Sequence, residues 1–252
     1  VTSEDIEKLL AADAINKTRA ENKITSLKAQ KTAWSDISTR LTNFLSKVDA
    51  LQKDDAYQTK KATTTNSSIA SIAGTTEAPE GTYDLKINQL ATATKVTGSQ
   101  VAQSSKTALN VSGQLSLTSS EVDENGKPIT ASIEITAEDS LKDVAAKINS
   151  QSKTTFVAAS IVDNRLILTN TKMGDKNFLI DGNAAEGLGI GSTATTTQGQ
   201  PAIFELDGMK ITRDSNSVTD VIDGVTLTLA KKNEEHVTLS LANDTSKVVD
   251  AV

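Results

Sequence analysis

The side chains that ordinarily do chemistry are thinly spread along this chain. Among 252 residues there is one histidine, His236, and no cysteine. Thiolate chemistry, a Ser-His-Asp triad with ligands to spare and a multi-histidine zinc site are therefore out of reach, since zinc takes three or four N, S or O ligands. His236 reads as a surface residue of a strand. Ser150-Gln-Ser-Lys153 has the Ser-x-x-Lys spacing of one class of hydrolases, but their companion motifs are missing and the segment reads as a polar helix end. Gly187-Leu-Gly189-Ile-Gly191 has the glycine density of a dinucleotide loop. Such a loop must open a helix, whereas the Thr-rich stretch after it is loop or strand in character, so these glycines read as turns. Carboxylates are plentiful but scattered, and few aromatic rings are present to stack a sugar. No catalytic, cofactor-binding or metal site is assigned, no cofactor is expected, and the chain reads as a non-enzyme.

What remains is the chemistry of one surface adhering to another. Leu27, Trp34, Leu41 and Val48 recur every seven residues, interleaved with Gln30, Ile37, Phe44 and Leu51. This is the a/d pattern of a coiled coil and asks for a second helix. Full burial of its large apolar side chains is worth roughly 10–20 kcal/mol gross. Gln30 at a d position is the kind of polar insertion that fixes register at some loss of stability. No partner of matching length is visible in the rest of the sequence.

The elements that carry this seam follow from punctuation. Ser3, followed by Glu4, Asp5 and Glu7, makes a helix start with a capping hydroxyl and acids where the macrodipole favours them. No Gly or Pro occurs before Gly74. A helix over Ser3–Asp54 would be roughly 75 Å long, a rod that needs lateral support.

After Asp54 the apolar period shifts from helical to alternating. Tyr83, Leu85 and Ile87 face one way and Asp84, Lys86 and Asn88 the other, with Ile69 and Ile72 ahead of them predicting an antiparallel pair across the Pro79-Glu80-Gly81 turn. A separate module follows. It holds a hairpin through Asn125-Gly126, a helix capped by Asp139 or Ser140 with Leu141, Val144, Ala145 and Ile148 on one face, and a hairpin through Asp163-Asn164. Alternation resumes at Ala202–Leu206, turns at Asp207-Gly208, and continues to Val225–Leu229 and Val237–Leu241, which are expected to be neighbours.

The expected fold class is α+β: a long N-terminal coiled-coil helix, then two mainly antiparallel β-rich domains, the second inserted into the first. The expected divisions are a helical leg at 1–54, a discontinuous β domain at 55–102 plus 198–243, an inserted α+β domain at 103–197, and the start of a returning helix at 244–252.

A net charge of −6 spread over mixed-sign residues argues against a surface that tracks phosphates, so no nucleic-acid partner is expected. Neither a leader peptide nor a run of about 18 apolar residues is visible, so membrane insertion is not expected. The pattern suits a cytosolic protein, or one exported unfolded through a dedicated channel.

Three stretches carry a family resemblance. They are Thr82-Tyr-Asp-Leu-Lys-Ile-Asn-Gln-Leu-Ala91, the helix Ser140-Leu-Lys-Asp-Val-Ala-Ala-Lys-Ile-Asn149 with Leu166-Ile-Leu-Thr169 behind it, and Ser215-Asn-Ser-Val-Thr-Asp-Val-Ile-Asp-Gly-Val-Thr-Leu-Thr-Leu229. In this order they resemble the bacterial flagellar filament cap family, the FliD or hook-associated proteins. The central stretch is shared with other flagellar axial proteins, and the third is the most specific.

The resemblance, to an N-terminal portion or fragment of such a protein, implies a structural, homo-oligomeric ring at the distal tip of the extracellular flagellum. It implies partners in flagellin, the flagellar export apparatus and a chaperone, and export by the flagellar type III system without a cleavable signal peptide. It would put Ser3–Asp54 in the helical legs, with a C-terminal helix from elsewhere in the protein on the seam, and the β domains in the plate. The alternatives are another hook-associated junction protein and a secreted adhesin or surface-layer module.

Overall fold

The computed structural model describes residues 2–52, 55–101 and 105–246. The chain divides into two units, Val1–Thr59 with Asp244–Val252, and Lys60–Asn243.

The first unit is dominated by helix α1 (Ser3–Leu51), 49 residues long, or about 74 Å at 1.5 Å per residue. Its N-cap is Thr2 rather than the expected Ser3. The Thr2 N–H and Oγ1 both donate to the Asp5 carboxylate, at 3.1 and 2.7 Å, so the acid three residues on selects the cap. Those two bonds, the hydroxyl's first, hold the Asp5 carboxyl below its ordinary pKa. A single turn, α2 (Asp55–Gln58), follows. Where the chain returns to this unit, the Asp244 N–H donates to the Thr59 carbonyl at 2.7 Å. The Asp244 carboxylate accepts from the Ser246 N–H and hydroxyl. The returning helix expected over 244–252 lies, from 247 on, outside the described residues.

The second unit begins with β1 (Lys60–Thr64), β2 (Ala70–Gly74), β3 (Gly81–Gln89), β4 (Lys95–Gln100), β5 (Gly113–Val122) and β6 (Pro128–Ile135). Helices α3 (Leu141–Ser150) and α4 (Ser152–Thr155) follow, then β7 (Val157–Val162), β8 (Arg165–Asn170), β9 (Phe178–Asp181) and β10 (Thr195–Thr197). The chain then makes β11 (Ala202–Leu206), β12 (Met209–Arg213), β13 (Ser217–Val218), β14 (Val225–Leu229) and β15 (Val237–Asn243). The long N-terminal helix followed by antiparallel sheets is thus the architecture expected from the sequence.

Two hydrophobic cores form. The first lies between the sheets β1-β15-β3-β11-β12 and β13-β14-β2. Alternation aims Leu85, Ile87, Phe204, Leu206, Leu239 and Leu241 of the larger sheet inward, to meet Ile72, Val225 and Leu227 of the smaller. Two expected pairings are replaced here. β2 pairs with β14, not with β3, because the chain between Gly74 and Gly81 crosses from one sheet to the other instead of making a hairpin. The Thr75 N–H bonds to the Gly224 carbonyl on the way. For the same reason β14 and β15 are not neighbours: β15 sits between β1 and β3.

The second core lies among β6-β5-β9, β10-β4-β8-β7 and α3. Leu115, Leu117, Ile133, Ile135, Leu166 and Leu168 meet the apolar stripe Leu141, Val144, Ala145 and Ile148. Strand β4 pairs with β8 and β10 and contributes Val96 to this core. A capping box starts α3, in which the Asp143 carboxylate accepts from the Ser140 N–H and hydroxyl at 3.0 and 2.6 Å.

Where the two cores adjoin, the chain passes twice, at 92–94 and 199–200, and is tied by buried bonds. The Thr94 hydroxyl, 2% exposed, donates to the Lys176 carbonyl at 2.6 Å and accepts from the Gly199 N–H at 3.0 Å. Asn216 bonds both the N–H and the carbonyl of Ala91. A Cβ at Gly199 would stand 2.4 Å from the Gly174 carbonyl oxygen and 2.7 Å from the Thr94 nitrogen, so only glycine lets these backbones approach.

Candidate functional site

The residues assigned to a partner seam all lie on α1. Leu27, Trp34, Leu41 and Val48 form one row, and Gln30, Ile37, Phe44 and Leu51 the row beside it. None is buried. Leu27 is 50% exposed, Trp34 71%, Ile37 45%, Leu41 57% and Phe44 62%; Gln30 is exposed, and Val48 and Leu51 are half-buried. A lone exposed leucine is unremarkable, but two adjacent rows that carry Trp34 and Phe44 with Leu27, Ile37 and Leu41, all exposed, make an extended apolar stripe.

The same frame carried toward the N-terminus meets Ile6 and Leu9 and, between them and Leu27, the polar Asp13, Asn16 and Lys23, so the seam is apolar chiefly over its last three turns of repeat. A seven-residue spacing falls about 20° short of two full helical turns per repeat, so a helix following this row must wind round α1 in the left-handed sense.

A second periodicity, not used in the sequence reading, runs on the opposite face. Thr18, Thr25, Thr32, Thr39 and Ser46 are seven apart, on the order of 170° round the helix from the seam midline. Each donates its hydroxyl to the carbonyl four residues back, at 2.9–3.1 Å. A hydroxyl that draws out a carbonyl does what water does on the outer side of a curved helix, lengthening that side's ladder. Five such bonds in phase bias α1 to bow with its seam on the concave side, the shape that wraps a partner. The signal was visible as a Thr repeat, but acquires meaning only once the helical phase of the seam is fixed.

The residues weighed for chemistry are placed otherwise. His236 Nδ1 faces Asp84 Oδ2 at 2.6 Å, both half exposed, just ahead of β15. The Ser150 hydroxyl donates to the Lys147 carbonyl at the end of α3, and Lys153 sits in α4. Gly189, at φ +71°, lies in a turn whose carbonyl receives the Ser99 N–H, and a Cβ there would meet Ser99 and Val101. That glycine therefore packs against β4 instead of cradling a phosphate.

An open groove of about 530 Å³ borders the junction of the two cores. Its cations face carboxylates: Lys172 and Lys176 on Glu121 at 3.0 and 3.3 Å, and Arg213 on Asp220 at 2.9 Å. The Lys172 bond, against a smaller opposing effect of burial, holds the Glu121 carboxyl below its ordinary pKa. Charge is neutralised in place there, as in a brace. Among the described residues no group of three or more His, Asp or Glu side chains is placed to hold a metal ion, and no helix is long and apolar enough to cross a membrane.

Comparison with known proteins gives this arrangement its family. The model for the flagellar hook-associated protein 2 N-terminus matches residues 2–94, and that for the C-terminus of the same protein matches 199–252. The chain belongs to the flagellar hook-associated protein 2 (FliD) family. Between the two matches, the flagellin hook IN motif covers 125–172, from the β5–β6 hairpin through α3 to just past β8.

Among curated FliD relatives, the A-type flagellar hook-associated protein 2 of Pseudomonas aeruginosa is 27% identical over 259 residues, which is 91% of this chain and 51% of that protein. The chain thus spans about half the length of the curated relatives it matches. The flagellar cap protein FliD of Escherichia coli, solved as its D1-D2-D3 domains, aligns with a TM-score of 0.65 at 23% identity, over 87% of this chain and 65% of that one, a likeness of fold. FliD (HAP2) of P. aeruginosa PAO1 aligns with a TM-score of 0.56 at 27% identity, over 72% of this chain and 88% of that one.

Proposed function

We propose that this chain is part of a filament cap: a non-enzymatic ring of identical copies at the distal tip of the flagellum, beneath which arriving flagellin is inserted and polymerises. The observation that carries the reading is the exposed, in-register seam of α1 in a chain of the FliD family. A rod with an exposed apolar stripe suits a leg packed by a second helix, and the seam Leu27–Leu51 is where that helix docks. In the proposed division, 1–54 is the leg, 55–94 with 198–243 a β domain, 95–197 an inserted domain, and 244–252 the start of the returning helix; the boundary expected at 102 moves ahead of β4, which pairs with β8 and β10. The two β-rich parts, tied at Thr94 and Asn216, form the plate.

The work done is mechanical. Legs that fit the filament imperfectly leave one opening at a time, and each inserted flagellin moves the mismatch round the ring. A cap must leave the cell, and we infer passage through the flagellar export apparatus with a chaperone.

Deletion of the gene tests the reading. A cap requires that the mutant lack filaments and shed monomeric flagellin into the medium, and that the intact gene restore growth at the tip. Normal filaments on the deletion strain would overturn the proposal.

A further inference from the structure

The last strand of a sheet offers unpaired N–H and C=O groups to any passing strand, and antiparallel register says which residues offer them. β7 is such a strand, at the end of the β10-β4-β8-β7 sheet. It joins β8 through the two-residue turn Asp163-Asn164, with φ of 50° and 53°. With Val162 opposite Arg165 closing that turn, the pairs at 162, 160 and 158 exchange hydrogen bonds with β8. Val157, Ala159 and Ile161 therefore turn their peptide groups outward. The strand reads Val-Ala-Ala-Ser-Ile-Val, without charge or proline, and Val162 at its end is 57% exposed. By composition it is open to pairing with its own kind.

Two of the three outward positions are already occupied by side chains. The Val157 N–H donates to Thr155 Oγ1 at 3.3 Å. At Ala159 the occupation is double: its N–H donates to Asn149 Oδ1 at 2.7 Å, and its carbonyl accepts from Asn149 Nδ2 at 2.9 Å. A primary amide with its donor and acceptor on one residue reproduces what the facing residue of a neighbouring strand would supply. The preceding residues of α3 complete the device. Ile148 is fully buried and fixes the turn, while Lys147 Nζ donates to the Glu134 carbonyl of β6, the edge strand of the other sheet, at 3.0 Å. One turn of α3 thus anchors in the core and reaches an edge strand on either side.

We propose that Asn149 guards the β7 edge, its amide standing in for a next strand so that β7 does not pair with β7 of a second copy. Such pairing is isologous and antiparallel, so one strand meeting itself across a two-fold axis suffices.

The test compares the chain with its Asn149→Ala and Asn149→Asp variants by residue-resolved amide exchange and by mass in solution over a concentration series. In Asn149→Ala at low concentration, exchange at Ala159 should quicken tenfold or more while Leu166 and Leu168 keep their protection, and at high concentration a dimer absent from the parent should form. Asn149→Asp, which keeps the acceptor and loses the donor, should leave the Ala159 N–H protected, and it serves alone should Asn149→Ala fail to fold. Adding Val162→Lys to Asn149→Ala should abolish the dimer yet leave exchange at Ala159 fast. Unchanged exchange at Ala159 in Asn149→Ala, loss of protection in Asn149→Asp, or a dimer that survives Val162→Lys would each overturn the proposal. A ring built through other surfaces affects parent and variants alike and is distinguished by that comparison.

Discussion

Replacing Leu41 and Phe44 together by asparagine separates a docking face from a folding face. In this chain the two side chains are 57% and 62% exposed, so a partner helix can still cover roughly 60% of each. Full burial of a Leu or Phe is worth about 1.5–3 kcal/mol, which leaves about 1–2 kcal/mol per residue, or about 2–4 kcal/mol for the pair, to be gained on docking. That is a loss of about 30- to 700-fold in partner affinity. The β unit is held by two cores to which neither residue contributes, so its own stability should stay within about 0.5 kcal/mol of the parent. The full-length variant, returned to a strain lacking the gene, should fail to restore filament growth, while purified protein melts with an unchanged β transition. Normal filaments would refute the seam's role. A lowered β transition would refute the reasoning differently, by showing that the stripe folds back onto the sheets.

Four further outcomes follow. Changing Thr18, Thr25, Thr32 and Thr39 to Ala should raise helix content, as alanine is favoured by roughly 0.5–0.7 kcal/mol per site. It should also weaken docking on the seam by straightening α1, with circular dichroism reading the first effect and filament growth the second. Thr94→Val should cost about 1–3 kcal/mol in urea melts, since it strands the buried Gly199 N–H, and Gly199→Ala should cost about 1–3 kcal/mol by forcing backbones apart. Ser140→Ala should lower stability by about 1 kcal/mol through loss of the α3 cap.

The acid limb has a definite sign. Burial would raise the Asp139 carboxyl, but the Lys147 ammonium and the Thr136 N–H overcome it, and the Ser140 hydroxyl and N–H lower Asp143. Groups depressed in the folded state stabilise above their unfolded pKa, about 3.9 for Asp, and lose that contribution as pH falls through the folded values. The melting temperature should therefore hold level at neutral pH and fall below about pH 4, less steeply in Asp139→Asn than in the parent.

Local signals were readable and long-range ones were not. The seam on α1 and the stripe on α3 show in the sequence because a helix carries its own period, and Asp143 three residues after Ser140 announces the cap. The hairpins through Asp163-Asn164 and Asp207-Gly208 show because the turn sets the register. By contrast, Pro79-Glu80-Gly81 has the residues of a hairpin turn, yet β2 finds its partner in β14, some 150 residues on. Nothing in alternation alone says which sheet a strand will join. The sequence division placed 95–100 with the first β domain, whereas β4 pairs with β8 and β10; its one fully inward aliphatic, Val96, leaves too short a pattern to read. The Asn149 contacts were hidden because a side chain that completes a strand edge looks, in sequence, like any polar residue at a helix end.

The closing pair of the larger sheet has a mechanical consequence. Lys60 stands opposite Asn243 and Thr64 opposite Leu239, with Thr59 and Asp244 bonded just outside. A force that draws the two tails apart therefore peels this pair like a zipper, loading one bond at a time from the Lys60 end. A pull on both tails in the same direction loads β1 and β15 together, and the five bonded registers between β15 and β3 resist it in shear. The larger sheet should give way readily to splaying and hold against tension along its tails.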